Sequence, residues 1–222
     1  MRFNERSSGL VDVDNFGDKI FHILGCGAIG SAAATQLARM GVDTFVLYDM
    51  DKVGIENIGV SQYTYQDIGR PKVVALKKHI ESINDDTHVI TYNEEFTKFY
   101  KPMEQNDVLI LGFDSMEVRR EAVEAAFIAG KPYLIIDGRM GAEEYQQYVM
   151  LKPTLKKYLK HWYSDEHASD EPCNAKATAY CSNMSGSFIA NSVKKIMMGE
   201  GYSEEFFFNF PNLAFGKSKF KS

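Results

Sequence analysis

Apolar positions along the chain fall into short unbroken runs separated by longer amphipathic stretches. The runs are Lys19-Ile20-Phe21-His22-Ile23-Leu24, Thr44-Phe45-Val46-Leu47-Tyr48, Val89-Ile90-Thr91-Tyr92, Val108-Leu109-Ile110-Leu111-Gly112-Phe113 and Tyr133-Leu134-Ile135-Ile136. Each is short, β-prone and apolar on consecutive residues, which predicts a strand covered on both faces. The stretches between them read as helices. Ser31 to Met40 is rich in Ala, Leu and Gln, and Lys72 to Ile83 places Val73, Leu76, Ile80 and Ile83 on one face. Val118 to Ala129 is a further helix, closed by Gly130. Tyr145 to Leu151 predicts another strand and Phe188 to Met198 a last helix ending at Gly199. An aromatic tail follows, Phe206-Phe207-Phe208-Asn209-Phe210-Pro211. Alternating buried strands and helices predict an α/β, Rossmann-like fold: a mostly parallel sheet flanked by helices, with an antiparallel C-terminal extension.

The punctuation between the first two strands carries the chemistry. Gly25-Cys26-Gly27-Ala28-Ile29-Gly30 lies between a strand and a helix, and the next strand ends at Asp49-Met50-Asp51. Strand, glycine turn, helix, strand and terminal acid make a mononucleotide-binding βαβ unit. Gly25 permits the tight turn, Gly27 lets a phosphate approach the backbone, and Gly30 lets the helix pack on the strand. The helix start then offers unpaired N–H groups to an anion, and Asp49 is placed to accept from ribose hydroxyls. The competing reading is a structural glycine turn. Asp114 and Asp137 also follow apolar runs, so three acids from three strands are expected at one sheet edge. Asp is a good helix N-cap as well, but three beside a phosphate turn favour a site. The chain therefore reads as one domain, residues 1–222. Residues 1–18 are an arm, 19–163 a nucleotide-binding core, and 164–222 a cysteine-containing loop, helix and tail. Residues 52–71 form a long loop with short helical turns, and loops of that length are usually functional.

Composition narrows the class. A net charge of −5 and a pI near 5.6 argue against broad nucleic-acid or anionic-membrane binding. No apolar run reaches the about 18 residues of a membrane span, and the polar N-terminus has no signal-peptide pattern. Three cysteines, Cys26, Cys173 and Cys181, build no disulfide framework, so a cytoplasmic, reducing setting is expected. Cys26 and Cys181 read as packing residues.

With these residues in place, the chain resembles the ThiF/MoeB/E1-like adenylyltransferases, which activate the C-terminus of ubiquitin-like and sulfur-carrier proteins. The glycine turn matches, as does Asp49-Met50-Asp51-Lys52-Val53 followed by Asn57. Gly69-Arg70-Pro71-Lys72 is similar to the family's G-x-P-K. Asp114 with Arg119 is similar to its D…R, and Arg2-Phe3-Asn4-Glu5-Arg6 to its N-terminal arginine arm. Two features depart from the pattern. Ile58-Gly59-Val60-Ser61-Gln62 lacks the arginine the family carries there. Paired C-x-x-C motifs are also missing, so the resemblance implies a shorter branch in which no structural zinc is expected.

The resemblance implies an activity. ATP adenylates the C-terminal carboxylate of a ubiquitin-like or sulfur-carrier protein, or of a peptide, and pyrophosphate leaves. Such a site needs cations, a metal and backbone donors held rigidly against accumulating negative charge. The turn at Gly25, Gly27, Ala28, Ile29 and Gly30, with Asp49 and Asp51, would hold the nucleotide. Lys72 and Asn57 would contact phosphates, and Asp114 would carry Mg²⁺. Lys72 as a solvated lysine and Asn57 as a turn residue are the plain alternatives. In the family an arm arginine comes from the second subunit, which implies a homodimer with Arg6 in that role; a solvated arm is the alternative. Arg139 is a candidate replacement for the lost loop arginine, and a structural Asp137–Arg139 contact stands equally beside that. Cys173 is a candidate for later thiol transfer, with a loop cysteine of no chemistry ahead of it. Two other classes stay open: an NAD-dependent oxidoreductase on the same turn, and a degenerate ATP-binding scaffold favoured by the lost arginine.

Overall fold

The computed structural model describes residues 5–164 and 177–221. Five parallel strands form the core of the sheet: β1 (Phe21–Leu24), β2 (Thr44–Tyr48), β3 (His88–Tyr92), β4 (Val108–Leu111) and β5 (Leu134–Gly141). Three antiparallel strands extend it: β6 (Glu144–Leu151), β8 (Glu205–Asn209) and β9 (Ala214–Lys217). Among the described residues the order is β3-β2-β1-β4-β5-β6-β8-β9. A small separate pair joins β7 (Tyr202–Ser203) to β10 (Phe220–Lys221). The order reverses between β1 and β4, and in open α/β sheets that switch point is where ligands lie. The expected fold class, including the antiparallel extension, is the observed one.

Helices cover both faces. On one side lie α1 (Ala28–Met40), α3 (Lys72–Ile83) and α6 (Ala179–Met197), burying Phe21, Ile23, Leu37, Leu76, Ile110 and Val193 in one cluster. On the other, α4 (Met116–Ala129) and α5 (Leu155–Leu159) help to bury Leu24, Leu109, Leu111, Val123, Ile135 and Tyr158. Local chemistry sets the helix ends. Pro71 immediately precedes α3, the Ser115 hydroxyl accepts from the Val118 N–H at the start of α4, and Gly41 closes α1 at φ 101°. The long loop holds the short helix α2 (Ile55–Ile58) and a 3₁₀ turn at Tyr65–Asp67. Among the described residues no helix is long and apolar enough to cross a membrane.

Three expectations need correction. The strand expected over 108–113 ends at Leu111, because its neighbour β1 ends at Leu24 and the ladder stops there. Asp137 does not end β5. Pairing with β6 carries that strand through Gly138 and Arg139 to Gly141, which places Asp137 inside the sheet, fully buried. The last helix begins at Ala179 and not at Phe188. Its first turns are small and polar, so no apolar period marks them. They pack instead on α1, with Ser182 Oγ donating to Ala28 O at 2.9 Å. A Cβ at Gly186 would lie 2.6 Å from the Ala32 backbone.

Gly30 shows the same close packing at the turn. A Cβ there would meet the Gly25 carbonyl oxygen at 1.8 Å, a backbone atom that cannot swing aside as a flexible side chain would. Gly30→Ala is expected to cost about 1–3 kcal/mol or more, the range for overpacking a filled site. Urea unfolding checks this; an unchanged midpoint would mean that the turn yields freely.

Candidate active site

A cavity of about 810 Å³ opens at the carboxyl edge of the parallel strands, within the usual size of small-molecule sites. Its floor is the glycine turn. Gly25 adopts φ 91°, and a Cβ on it would sit 2.7 Å from the Gly112 backbone, so β1 and β4 leave the sheet side by side. Gly27 caps α1 without a side chain, and Gly27, Ala28 and Ile29 line the cavity. The first amides of α1 have no intrahelical acceptor and confer a positive end.

Asp49 follows β2 directly. Its carboxylate accepts from the Cys26 N–H at 2.7 Å and the Asp51 N–H at 2.9 Å, which clamps the turn to the strand end. Burial raises its pKa against the opposing pull of Lys72 and the two amides. Lys72, at the first position of α3, is 9% exposed and its Nζ lies 2.7 Å from Asp51 Oδ2. Burial disfavours the ammonium, yet the Asp51 hydrogen bond and the charges of Asp49 and Asp51 outweigh it and raise the lysine pKa. The long loop is tied down by the Tyr63 hydroxyl, which donates to Cys26 O at 2.5 Å. Asn57 Oδ1 accepts from the Gly54 N–H at 2.9 Å. Asn57 lines the cavity, as does Val60 at the stretch where the arginine is missing.

The far wall is an ion network. Asp137 is fully buried between Arg119 and Arg139, which are 4% and 6% exposed. Arg119 Nη1 bonds Asp137 Oδ1 and donates to Gly138 O at 2.9 Å. Arg139 bonds Asp137 Oδ2 through Nε at 3.1 Å and Nη2 at 2.7 Å, and His161 O through Nη1 at 2.7 Å. Its guanidinium also faces the rings of Tyr148 and Tyr163, at 4.5 and 5.1 Å from their centroids. Of the two readings of Arg139, the Asp137–Arg139 contact is present, and the residue lines the cavity as well.

The cavity thus brings together Gly25, Gly27, Ala28, Ile29, Asp49, Asp51, Asn57, Lys72, Asp114 and Arg139. Gly30 lies beneath the turn, where it allows close packing. Arg6, in an exposed turn at Glu5–Ser7, is not among the residues lining it. Cys173 lies outside the described residues. Cys26 is buried, and burial and Asp49 push its thiol well above the ordinary value. Cys181 lies within α6, where its thiol is 3.8 Å from Glu144 O at the start of β6. Burial and Glu143 push it up to about 11. Among the described residues no group of three or more His, Cys, Asp or Glu could hold a metal by itself.

Sequence reasoning left Asp137 as a strand-end acid and Arg119 outside the site. It also missed Glu94, Phe96, Glu144 and Gln146, which line the cavity. Glu144 and Gln146 carry a faint signal, the period-2 alternation of exposed and buried positions along β6. Glu94 and Phe96 carry none, since they lie after β3 outside any regular element.

Comparison with known proteins follows the same lines. The ThiF family matches residues 11–221. "Ubiquitin-like modifier-activating enzyme 5" of Drosophila simulans is 29% identical over 136 residues, covering 55% of this chain and 33% of that protein. The Drosophila grimshawi protein of the same name is 32% identical over 93 residues, 42% of this chain and 23% of its own length. The chain thus spans about a third of the length of the first of these curated relatives. Among solved structures, that of PaaA superposes with a TM-score of 0.72 at 22% identity, covering 95% of this chain and 67% of that one. E. coli MccB crystallised with ATP superposes at 0.69 with 15% identity, covering 93% and 65%. The same share of this chain matches MccB in complex with N-formylated MccA, at 0.67 and 15%.

Proposed function

The chain belongs to the ThiF family, and from that premise we propose that it is an ATP-dependent adenylyltransferase acting on the terminal carboxylate of a small ubiquitin-like protein, sulfur carrier or peptide. One observation carries the reading. A single cavity at the sheet's switch point gathers a glycine turn at a helix start, the strand-end acid Asp49, a buried lysine and an exposed acid on the β4 turn. The names of the relatives support the polypeptide substrate, and MccB with ATP and with MccA supports the pairing of nucleotide and peptide.

In the proposed reaction a carboxylate oxygen attacks the α-phosphorus, the bond to the bridging oxygen breaks, and pyrophosphate carries away the electron pair. The amides of Gly27 to Ile29 and the Lys72 ammonium would face phosphate oxygens, while Asp49 would hold the ribose. Magnesium, when bound, supplies charge neutralisation to the triphosphate. Asp114 is the exposed acid on the β4 side suited to it, and a site with so few protein ligands fits an ion that takes phosphates for its remaining positions. The reading includes a homodimer in which Arg6 reaches the cavity of the second copy; light scattering tests the assembly, and a monomer removes that role.

The test is calorimetry with ATP and Mg²⁺ against NAD, followed by pyrophosphate release with a cognate carboxylate. Preferential ATP binding with release supports the reading, and tighter NAD binding sinks it. Val60 on the cavity wall favours the rival of a silent ATP-binding scaffold; ATP binding without release would select it.

A further inference from the structure

We propose that Tyr63, outside the cavity, is a positioning residue for nucleotide binding: its hydroxyl fixes the Cys26–Gly27 peptide so that the Gly27 N–H faces the phosphates. The inference rests on the adenylation reading above. Cys26 sits between Gly25 and Gly27, and flanking glycines leave its peptide planes free to rotate unless something holds them. Two groups do. The Cys26 N–H donates to Asp49 Oδ2 at 2.7 Å, and the Cys26 carbonyl accepts from the Tyr63 hydroxyl at 2.5 Å. Tyr63 is 4% exposed and is not among the residues lining the cavity, so that carbonyl turns inward, away from the cavity. The C=O and N–H of a trans peptide point in opposite directions, and no peptide among the described residues is cis. The Gly27 N–H therefore turns outward. Gly27 lines the cavity, a Cβ on it would meet nothing within 4 Å, and its N–H has no protein acceptor among the described residues.

The long loop holds the phenol in place from both sides. The Gln62 N–H donates to Ser31 Oγ on α1 at 3.2 Å, and Gln62 Nε2 donates to Asn183 Oδ1 on α6 at 2.9 Å. The Thr64 N–H donates to Asp67 Oδ2 at 2.9 Å. The Tyr63 hydroxyl also lies 3.3 Å from the Lys72 carbonyl oxygen. One phenol thus spans the glycine turn and the first residue of α3, the two parts that would face phosphate oxygens. Burial, with Cys26, Asp49 and Asp67 nearby, holds its pKa well above the ordinary tyrosine value, so the hydroxyl stays a donor at neutral pH. Phenylalanine would fill the same space and release the carbonyl.

The experiment compares wild type with Tyr63→Phe as full chains. Calorimetry reads ATP with Mg²⁺, and competition against ATP reads adenosine. Tyr63→Phe is expected to bind ATP about 3- to 10-fold more weakly, the worth of one hydrogen bond. It is expected to bind adenosine as well as wild type does, because adenosine has no phosphate for the Gly27 amide. A merely structural role of the phenol would weaken both ligands alike. Unchanged ATP affinity, or an equal loss for adenosine, overturns the proposal. If Tyr63→Phe does not fold, or if adenosine competes with ATP on neither chain, a crystal of wild type with ATP decides. A phosphate oxygen on the Gly27 N–H, with Tyr63 on the Cys26 carbonyl, supports the assignment; a rotated peptide or phosphates held elsewhere overturn it. Wild type that binds no ATP in calorimetry would defeat the adenylation reading itself, a result separate from all of these.

Discussion

Replacing Lys72 with alanine is expected to cut adenylate formation by at least ~10²-fold, the scale of one lost transition-state contact, while the chain stays folded. The expectation follows from what Lys72 touches. It is nearly buried at the head of α3, beside Asp49 and Asp51, and it lines the same cavity as the glycine turn. Its partner Asp51 has a side chain 55% exposed, so removing the ammonium leaves a carboxylate that water can solvate. Stability should therefore change little and activity greatly. The pH dependence has a definite sign. Because the lysine pKa is raised in the folded chain, the ion pair's contribution is complete below the ordinary lysine value and disappears as pH rises through the folded one. Pyrophosphate release by a Lys72→Ala chain with an unchanged far-UV spectrum is the measurement. Full activity would remove Lys72 from the site.

Asp137→Ala has the opposite profile. It leaves Arg119 and Arg139 facing each other at 4% and 6% exposure with no counter-charge between them. Breaking a buried ion network on one side costs about 3–5 kcal/mol, a large share of the about 5–15 kcal/mol that holds an ordinary domain together. Asp137→Asn keeps the shape and one of the two acceptor oxygens and is expected to lose less. Denaturant unfolding of both variants reads the difference; equal midpoints for wild type and Asp137→Ala would show that the two arginines find other partners. The contrast with Lys72 comes from burial of the partner left behind: an exposed carboxylate is rehydrated, and two enclosed guanidiniums are not.

Local sequence was enough wherever one element's chemistry was self-contained. The runs at 44–48, 89–92 and 133–136 are strands because β-prone apolar residues on consecutive positions suit a doubly covered sheet. Lys72–Ile83 has the bounds its periodicity implies, since Pro71 starts it and Asn84 ends it. The glycine turn, Asp49 and Asp114 were legible for the same reason: a tight turn needs Gly25, and acids at strand ends fall at the carboxyl edge where such sheets bind ligands. Lys72, Asn57 and Arg6 were promoted by the resemblance to a family. The structure brings the first two to the cavity and does not place Arg6 there.

Tertiary structure decided what depends on a second element. Whether Asp137 ended its strand turned on β6, whose antiparallel pairing continues the ladder past it. The early start of α6 turned on α1, since Ser182, Ser185 and Gly186 make a helix worth forming only against a face as small as Ala32 and Ala33. The fate of two arginines turned on one carboxylate reached from different elements: Arg119 from α4 and Arg139 from within β5. Propensity and period describe a residue among its chain neighbours. Charge balance, close backbone approach and strand pairing are properties of residues far apart in the chain, and only the folded arrangement sets them.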